Sequence, residues 1–119
     1  MLVWVGVGAL GGIGALLRFL LDAAVSERAG SRLPWGTFVV NISGSFALGV
    51  LAGASVSGDA LMLAGTATLG SYTTFSTWMF ETHRLGESGQ RGALALNLGA
   101  SLVAGVGAAA AGRALGGAL

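Results

Sequence analysis

Side chains able to bind an ion are gathered in three places along this 119-residue chain, and nearly all of them are neutral. The run Gly70-Ser-Tyr-Thr-Thr-Phe-Ser-Thr-Trp78 carries five serine and threonine hydroxyls in nine residues. Thr37, Asn41 and Ser45 recur every four residues, and Asn97 and Ser101 repeat that interval, so each set shares a helix face. Hydroxyls and amides donate and accept hydrogen bonds without changing charge at working pH. They can stand in for the hydration shell of a small ion, or they can serve only as glue between helices.

The titratable groups narrow the chemistry further. No Asp, Glu, Lys or His lies within residues 33–57, 60–80 or 92–112. A proton-coupled transporter needs a carboxylate inside the membrane to load and unload protons. An enzyme site wants an acid or base of adjustable pKa, and none is expected here. His83, near Glu81 and Glu87, reads as part of a solvated helix end, not a metal site. Arg18 is the one charge near an apolar interior: it either snorkels to the interface or lends positive potential to an anion entrance. Cysteine is absent, which removes disulfides and thiolate metal sites. The net charge is +1, with arginine as the sole basic residue type and no basic run, so nucleic acid is not an expected partner.

The elements that carry these groups must lie in lipid. Hydrophobic residues make up 54% of the chain and charged residues 9%, against about 25% charged in soluble domains; mean hydropathy is +0.80. The 22 glycines show no period of three and accompany a single proline, Pro34. Glycine at that density inside apolar runs suits membrane helices in backbone contact. One all-α membrane domain with four spans is expected, at about residues 1–21, 33–57, 60–80 and 92–112. Each is long enough to cross a bilayer, which takes about 20 apolar residues. The connections fall at Asp22–Arg32, around Gly58-Asp59 and at Glu81–Arg91. The N-terminus has no basic leader, so no cleaved signal peptide is predicted. Small residues mark three contact stripes: Gly8 and Gly12; Ser45, Gly49 and Gly53; and Ser101, Gly105 and Ala109.

Hydrocarbon supplies no hydrogen-bond partners, so the Ser/Thr cluster of the third run predicts a helix that lines a polar path or breaks to expose its backbone. Arg28, Arg32, Arg84 and Arg91 fall on one side of the membrane and Arg113 on the other. The positive-inside rule then favours both termini outside.

Three ordered segments resemble the Fluc (CrcB) family of small fluoride channels: Gly11-Gly-Ile-Gly-Ala-Leu-Leu-Arg-Phe19, Pro34-Trp-Gly-Thr-Phe-Val-Val-Asn-Ile-Ser-Gly-Ser-Phe46, and Gly70 to Trp78 followed by Glu81. The resemblance implies passive, fluoride-selective export through a multi-pass protein of the cell (inner) membrane. It implies an antiparallel, dual-topology dimer of four-helix subunits with a broken third helix. A homodimer is the expected composition, and a heterodimer with a related chain is the alternative. It also implies a structural sodium ion at the dimer centre, held by main-chain carbonyls that fall on Gly70 and Thr73. The fluoride pathway carries over onto Asn41, Thr74, Phe75, Trp78, Asn97 and Ser101, with Arg18 in the vestibule. Trp78 stands where the family has a second phenylalanine, and Phe19 where tyrosine is common.

The expected mechanism replaces fluoride's water with Asn and Ser/Thr donors and with aromatic edges, which carry the positive part of the ring quadrupole. The Trp78 indole N–H would add a donor. The rival readings are a small four-helix multidrug-type exporter and a non-transporting membrane subunit.

Overall fold

The computed structural model describes residues 1–30 and 33–119, and the described residues form helices and short connections without a strand. Three helices are long and apolar enough to cross a membrane: α1 (Leu2–Ala29), α2 (Trp35–Gly53) and α6 (Arg91–Gly117). The third apolar run is divided. It comprises α3 (Gly58–Leu61), a π-helical stretch (Met62–Leu69), α4 (Gly70–Tyr72), an extended break, and then α5 (Ser76–Glu87).

Two expected connections are instead helical. In place of the connection expected at Asp22–Arg32, α1 continues through Asp22, Glu27 and Arg28 to Ala29 and ends at Gly30, whose φ of 83° suits glycine. Charge ends the apolar run without ending the helix. Arg32 lies outside the described residues. In place of the connection expected at Glu81–Arg91, α5 carries Glu81 to Glu87 and the chain then turns at Gly89 with φ 75°.

The main packing seam joins α2 to α6. A Cβ at Gly49 or Gly53 would overlap the backbone of Ala109 or Arg113, and a Cβ at Gly112 or Gly116 would overlap the carbonyl of Phe46 or Val50. Glycines on both helices thus let backbone meet backbone, the substitute in lipid for hydrophobic driving force. The Ser45–Gly49–Gly53 stripe is used here in its last two positions. On α6 the close approach is carried by Ala109, Gly112 and Gly116, so it shares only Ala109 with the expected Ser101–Gly105–Ala109 stripe and continues beyond it. Gly8 and Gly12 meet nothing within 4 Å. The close approach of α1 is at Gly14, where a Cβ would overlap the Thr68 carbonyl and the Ser71 hydroxyl.

The hydroxyls of the third run mostly repair their own helix. Thr68 Oγ1 donates to the Leu63 carbonyl five residues back at 2.7 Å, matching the wider π turn. Ser71 Oγ donates to Ala67 O at 2.7 Å and Thr73 Oγ1 to Leu69 O at 2.9 Å. At Thr73 the chain becomes extended, with ψ 159°. This break passes directly over α2 at Gly44, where any Cβ would strike the Thr73 methyl.

Candidate functional site

Asn41 holds the break in place. Its Nδ2 donates to the Thr74 carbonyl at 2.8 Å, and its Oδ1 accepts the Thr74 N–H at 2.8 Å. In an uninterrupted helix that N–H would go to the Gly70 carbonyl. Here the α2 side chain takes it, and α5 can restart: Thr74 Oγ1 accepts the Thr77 N–H at 3.2 Å, a cap for the new helix. Tyr72 adds a second tie to α2, 2.7 Å from the Ser43 hydroxyl.

The Gly70 and Thr73 carbonyls, the expected sodium ligands, accept no hydrogen bond among the described residues. Bare backbone oxygens suit a hard cation. The pair fits the expected role, although two ligands from one chain do not enclose an ion.

Beside the break lies an open cavity of about 720 Å³, lined on its polar side by Asn41, Ser45, Thr73, Thr74 and Ser101 and capped by Phe75 and Trp78. Of the six expected pathway residues, five line it together. The Ser101 hydroxyl is buried and has no hydrogen-bond partner. Asn41 has one amide hydrogen left after bonding Thr74. Phe75 and Trp78 meet edge to face with centroids 5.8 Å apart, and Phe75 is 69% exposed in the single subunit.

Asn97 is the one expected pathway residue that does not line this cavity. It is buried between α5 and α6, where its Nδ2 donates to Thr82 Oγ1 at 2.8 Å. Trp78 also differs from expectation: its Nε1–H points to the Asn97 main-chain carbonyl at 3.3 Å, so the indole donor is engaged within the subunit. Arg18 is half-buried on α1 and does not line the cavity.

Sequence reasoning set Glu81 in a solvated helix end, and half of that reading stands. His83 and Glu87 form an exposed pair. Glu81 instead turns inward, with Oε1 buried and unpartnered and its carboxyl beside the Thr37 hydroxyl. The signal available was its place three residues after Trp78, hence on the same side of α5. Thr82 and Gly44 were likewise missed, because their importance rests on contacts with distant helices.

A family model described as CrcB-like protein, Camphor Resistance (CrcB), matches residues 5–113. A protein of Mycolicibacterium paratuberculosis named fluoride-specific ion channel FluC 2 is 53% identical over 113 residues, covering 95% of this chain and 93% of its own. The Mycobacterium tuberculosis protein of the same name is 50% identical, with 93% and 88% covered. Fluoride-specific ion channel FluC 1 of Frankia casuarinae is 42% identical, with 94% of each chain covered.

Proposed function

The chain belongs to the CrcB family, and from that premise we propose that it is a multi-pass membrane channel that passes fluoride and excludes chloride. The observation that carries the reading from the family to this chain is the Ser101 hydroxyl, buried without a partner in a cavity wall shared with Asn41, Phe75 and Trp78. An unpartnered buried donor is costly unless something accepts from it. Fluoride, small and strongly hydrated, is an acceptor that needs such donors when it sheds water. The aromatic edges of Phe75 and Trp78 extend the path through an apolar wall without adding a fixed charge that would trap the ion.

Transport by this route is passive and not enzymatic. An inside-negative potential drives an anion outward with about 2.3 kcal/mol per charge at 100 mV. Channel opening alone then relieves fluoride accumulation across a cell (inner) membrane. The site holds no proton carrier among its cavity-lining residues, which separates it from a proton-coupled multidrug exporter.

The working unit is an antiparallel dimer, as a homodimer. Two features support this. Phe75 stands largely exposed on a subunit whose cavity is open, and the Gly70 and Thr73 carbonyls lack partners. A second, inverted copy doubles those carbonyls around one central sodium ion, which would fasten the two breaks together. The deciding experiment uses purified protein in liposomes loaded with fluoride or chloride. Fast electrogenic fluoride efflux with negligible chloride efflux and no proton counter-transport is expected; equal chloride flux, or no flux, overturns the reading.

A further inference from the structure

We propose that Thr82 and Asn97 are positioning residues for Trp78, and that this clamp between α5 and α6 sets the aromatic wall of the fluoride path. The inference rests on the channel reading above and deepens it.

The observation is a closed set of three hydrogen bonds. Trp78 Nε1–H donates to the Asn97 carbonyl at 3.3 Å, Asn97 Nδ2 donates to Thr82 Oγ1 at 2.8 Å, and Thr82 Oγ1–H donates to the Trp78 carbonyl at 2.7 Å. Asn97 and Thr82 are both buried. Among the described residues the first two are the only side-chain hydrogen bonds that join α5 to α6. The rest of α6 is seated on α2 by the glycine seam, so α6 is a fixed reference and α5 is the part that needs registering against it.

The chemistry assigns each group a task. The Thr82 hydroxyl has one proton and gives it to the carbonyl one turn back, which leaves its lone pairs for the Asn97 amide. This bond fixes the height of α5 along α6. At that height the indole N–H reaches the Asn97 carbonyl, which is already an acceptor within its helix and can take a second donor. The ring is then held by its N–H while it meets Phe75 edge to face and lines the cavity. A phenylalanine at this place could offer the same edge but could not be tethered. Ser101, one turn after Asn97, carries the free hydroxyl across the cavity. The clamp therefore sets the distance between an aromatic edge and a hydroxyl donor, the quantity on which replacement of fluoride's water depends.

The test uses the full-length protein in a background where Trp4 and Trp35 are replaced by phenylalanine, so that Trp78 is the sole indole. Thr82→Val keeps the shape and removes the hydroxyl; Thr82→Ser restores it. Two readouts are taken: the indole N–H vibrational band by ultraviolet resonance Raman, and the initial fluoride efflux rate from liposomes. In Thr82→Val the band should move to that of a free indole N–H and efflux should fall about three- to tenfold, the range that one neutral hydrogen bond supports. Thr82→Ser should recover both. Adding Thr82→Val to Trp78→Phe should cost little beyond Trp78→Phe alone, since the ring would already be untethered. An unshifted band with unchanged efflux overturns the clamp. A shifted band with unchanged efflux also overturns it as a positioning device. Should the starting protein pass no fluoride at all, the channel reading fails, while the Raman band still accepts or rejects the tether.

Discussion

Asn41 and Thr74 exchange two hydrogen bonds of 2.8 Å, a side-chain amide lying against a main-chain peptide. The exchange explains how a helix can break inside lipid. Interrupting the helical ladder orphans peptide groups that no solvent can satisfy, and each such group costs several kcal/mol in hydrocarbon. One asparagine on α2 satisfies both the N–H and the carbonyl at the point of rupture. The Gly70 carbonyl loses its helical donor in the same act. One residue thereby links the cavity wall to the exposed backbone oxygens.

Substitution of Asn41 should separate its two tasks. Asn41→Ala leaves both Thr74 groups unpaired, at about 1–3 kcal/mol each, and removes the second amide hydrogen, the one proposed to serve fluoride. Fluoride efflux should be lost and thermal stability in detergent should fall. Asn41→Asp keeps an acceptor for the Thr74 N–H but sets a negative charge in the proposed anion path. Its efflux should also be lost, with a smaller drop in thermal midpoint than alanine gives. Normal fluoride flux in either variant would remove Asn41 from the pathway.

Hydropathy and residue type made much of this arrangement readable in advance. The apolar lengths of α1, α2 and α6 announce three crossings, and the hydroxyl density of 70–78 announces the break. The failures have physical causes. A four-residue glycine interval marks a smooth face but does not say which neighbour meets it: Gly8 and Gly12 meet nothing within the subunit, while Gly112 and Gly116 carry the seam with α2. Asn97 shares a face with Ser101, yet four residues make slightly more than one turn. That offset directs Asn97 towards Thr82 and leaves Ser101 at the cavity. The Trp78 bond to a carbonyl 19 residues away has no sequence pattern to reveal it.

The α2–α6 seam predicts a steep response to added methyl groups. Gly112→Ala places a Cβ against the Phe46 carbonyl, and Gly49→Ala places one against Ala109. Backbone cannot swing aside as a side chain can, and overpacking of this kind costs typically about 1–3 kcal/mol. Both should lower the thermal midpoint measured by circular dichroism in detergent. Gly99→Ala, which meets nothing within 4 Å in the subunit, should not lower it. Equal behaviour of all three would mean that the seam does not limit stability.

The carbonyl site predicts a response to sodium that is independent of transport. Thr73→Ser keeps the backbone and the hydroxyl that bonds Leu69, so sodium should still raise the thermal midpoint relative to a bulky organic cation. A Cβ at Gly70 would make only an ordinary contact within the subunit, 3.8 Å from the Gly65 carbonyl, so Gly70→Val adds its bulk at the break without a backbone clash at Cβ. It should leave the subunit helical and abolish both the sodium effect and dimerisation. A dimer of Gly70→Val that remains sodium-sensitive would place the ion elsewhere.

Subunit orientation sets arginine count against assembly. Arg28 and Arg84 lie in the last turns of α1 and α5, and Arg91 opens α6, so all three gather at one end. Arg113 stands near the other end of α6. Counted by arginine alone, the chain favours a single orientation. The same end, however, carries Asp22, Glu27, Glu81 and Glu87, and acidic residues weigh little in the insertion rule but oppose the net field. Arg18, within α1, belongs to neither end clearly. A difference this small leaves insertion in both directions open, which an antiparallel homodimer requires. Because the chain has no cysteine, one added after Leu119 reports orientation without competing signals. A membrane-impermeant maleimide should label about half of the molecules in intact cells and the remainder after lysis. Labelling confined to one side would exclude an inverted pair of identical chains and would require a second, oppositely oriented partner.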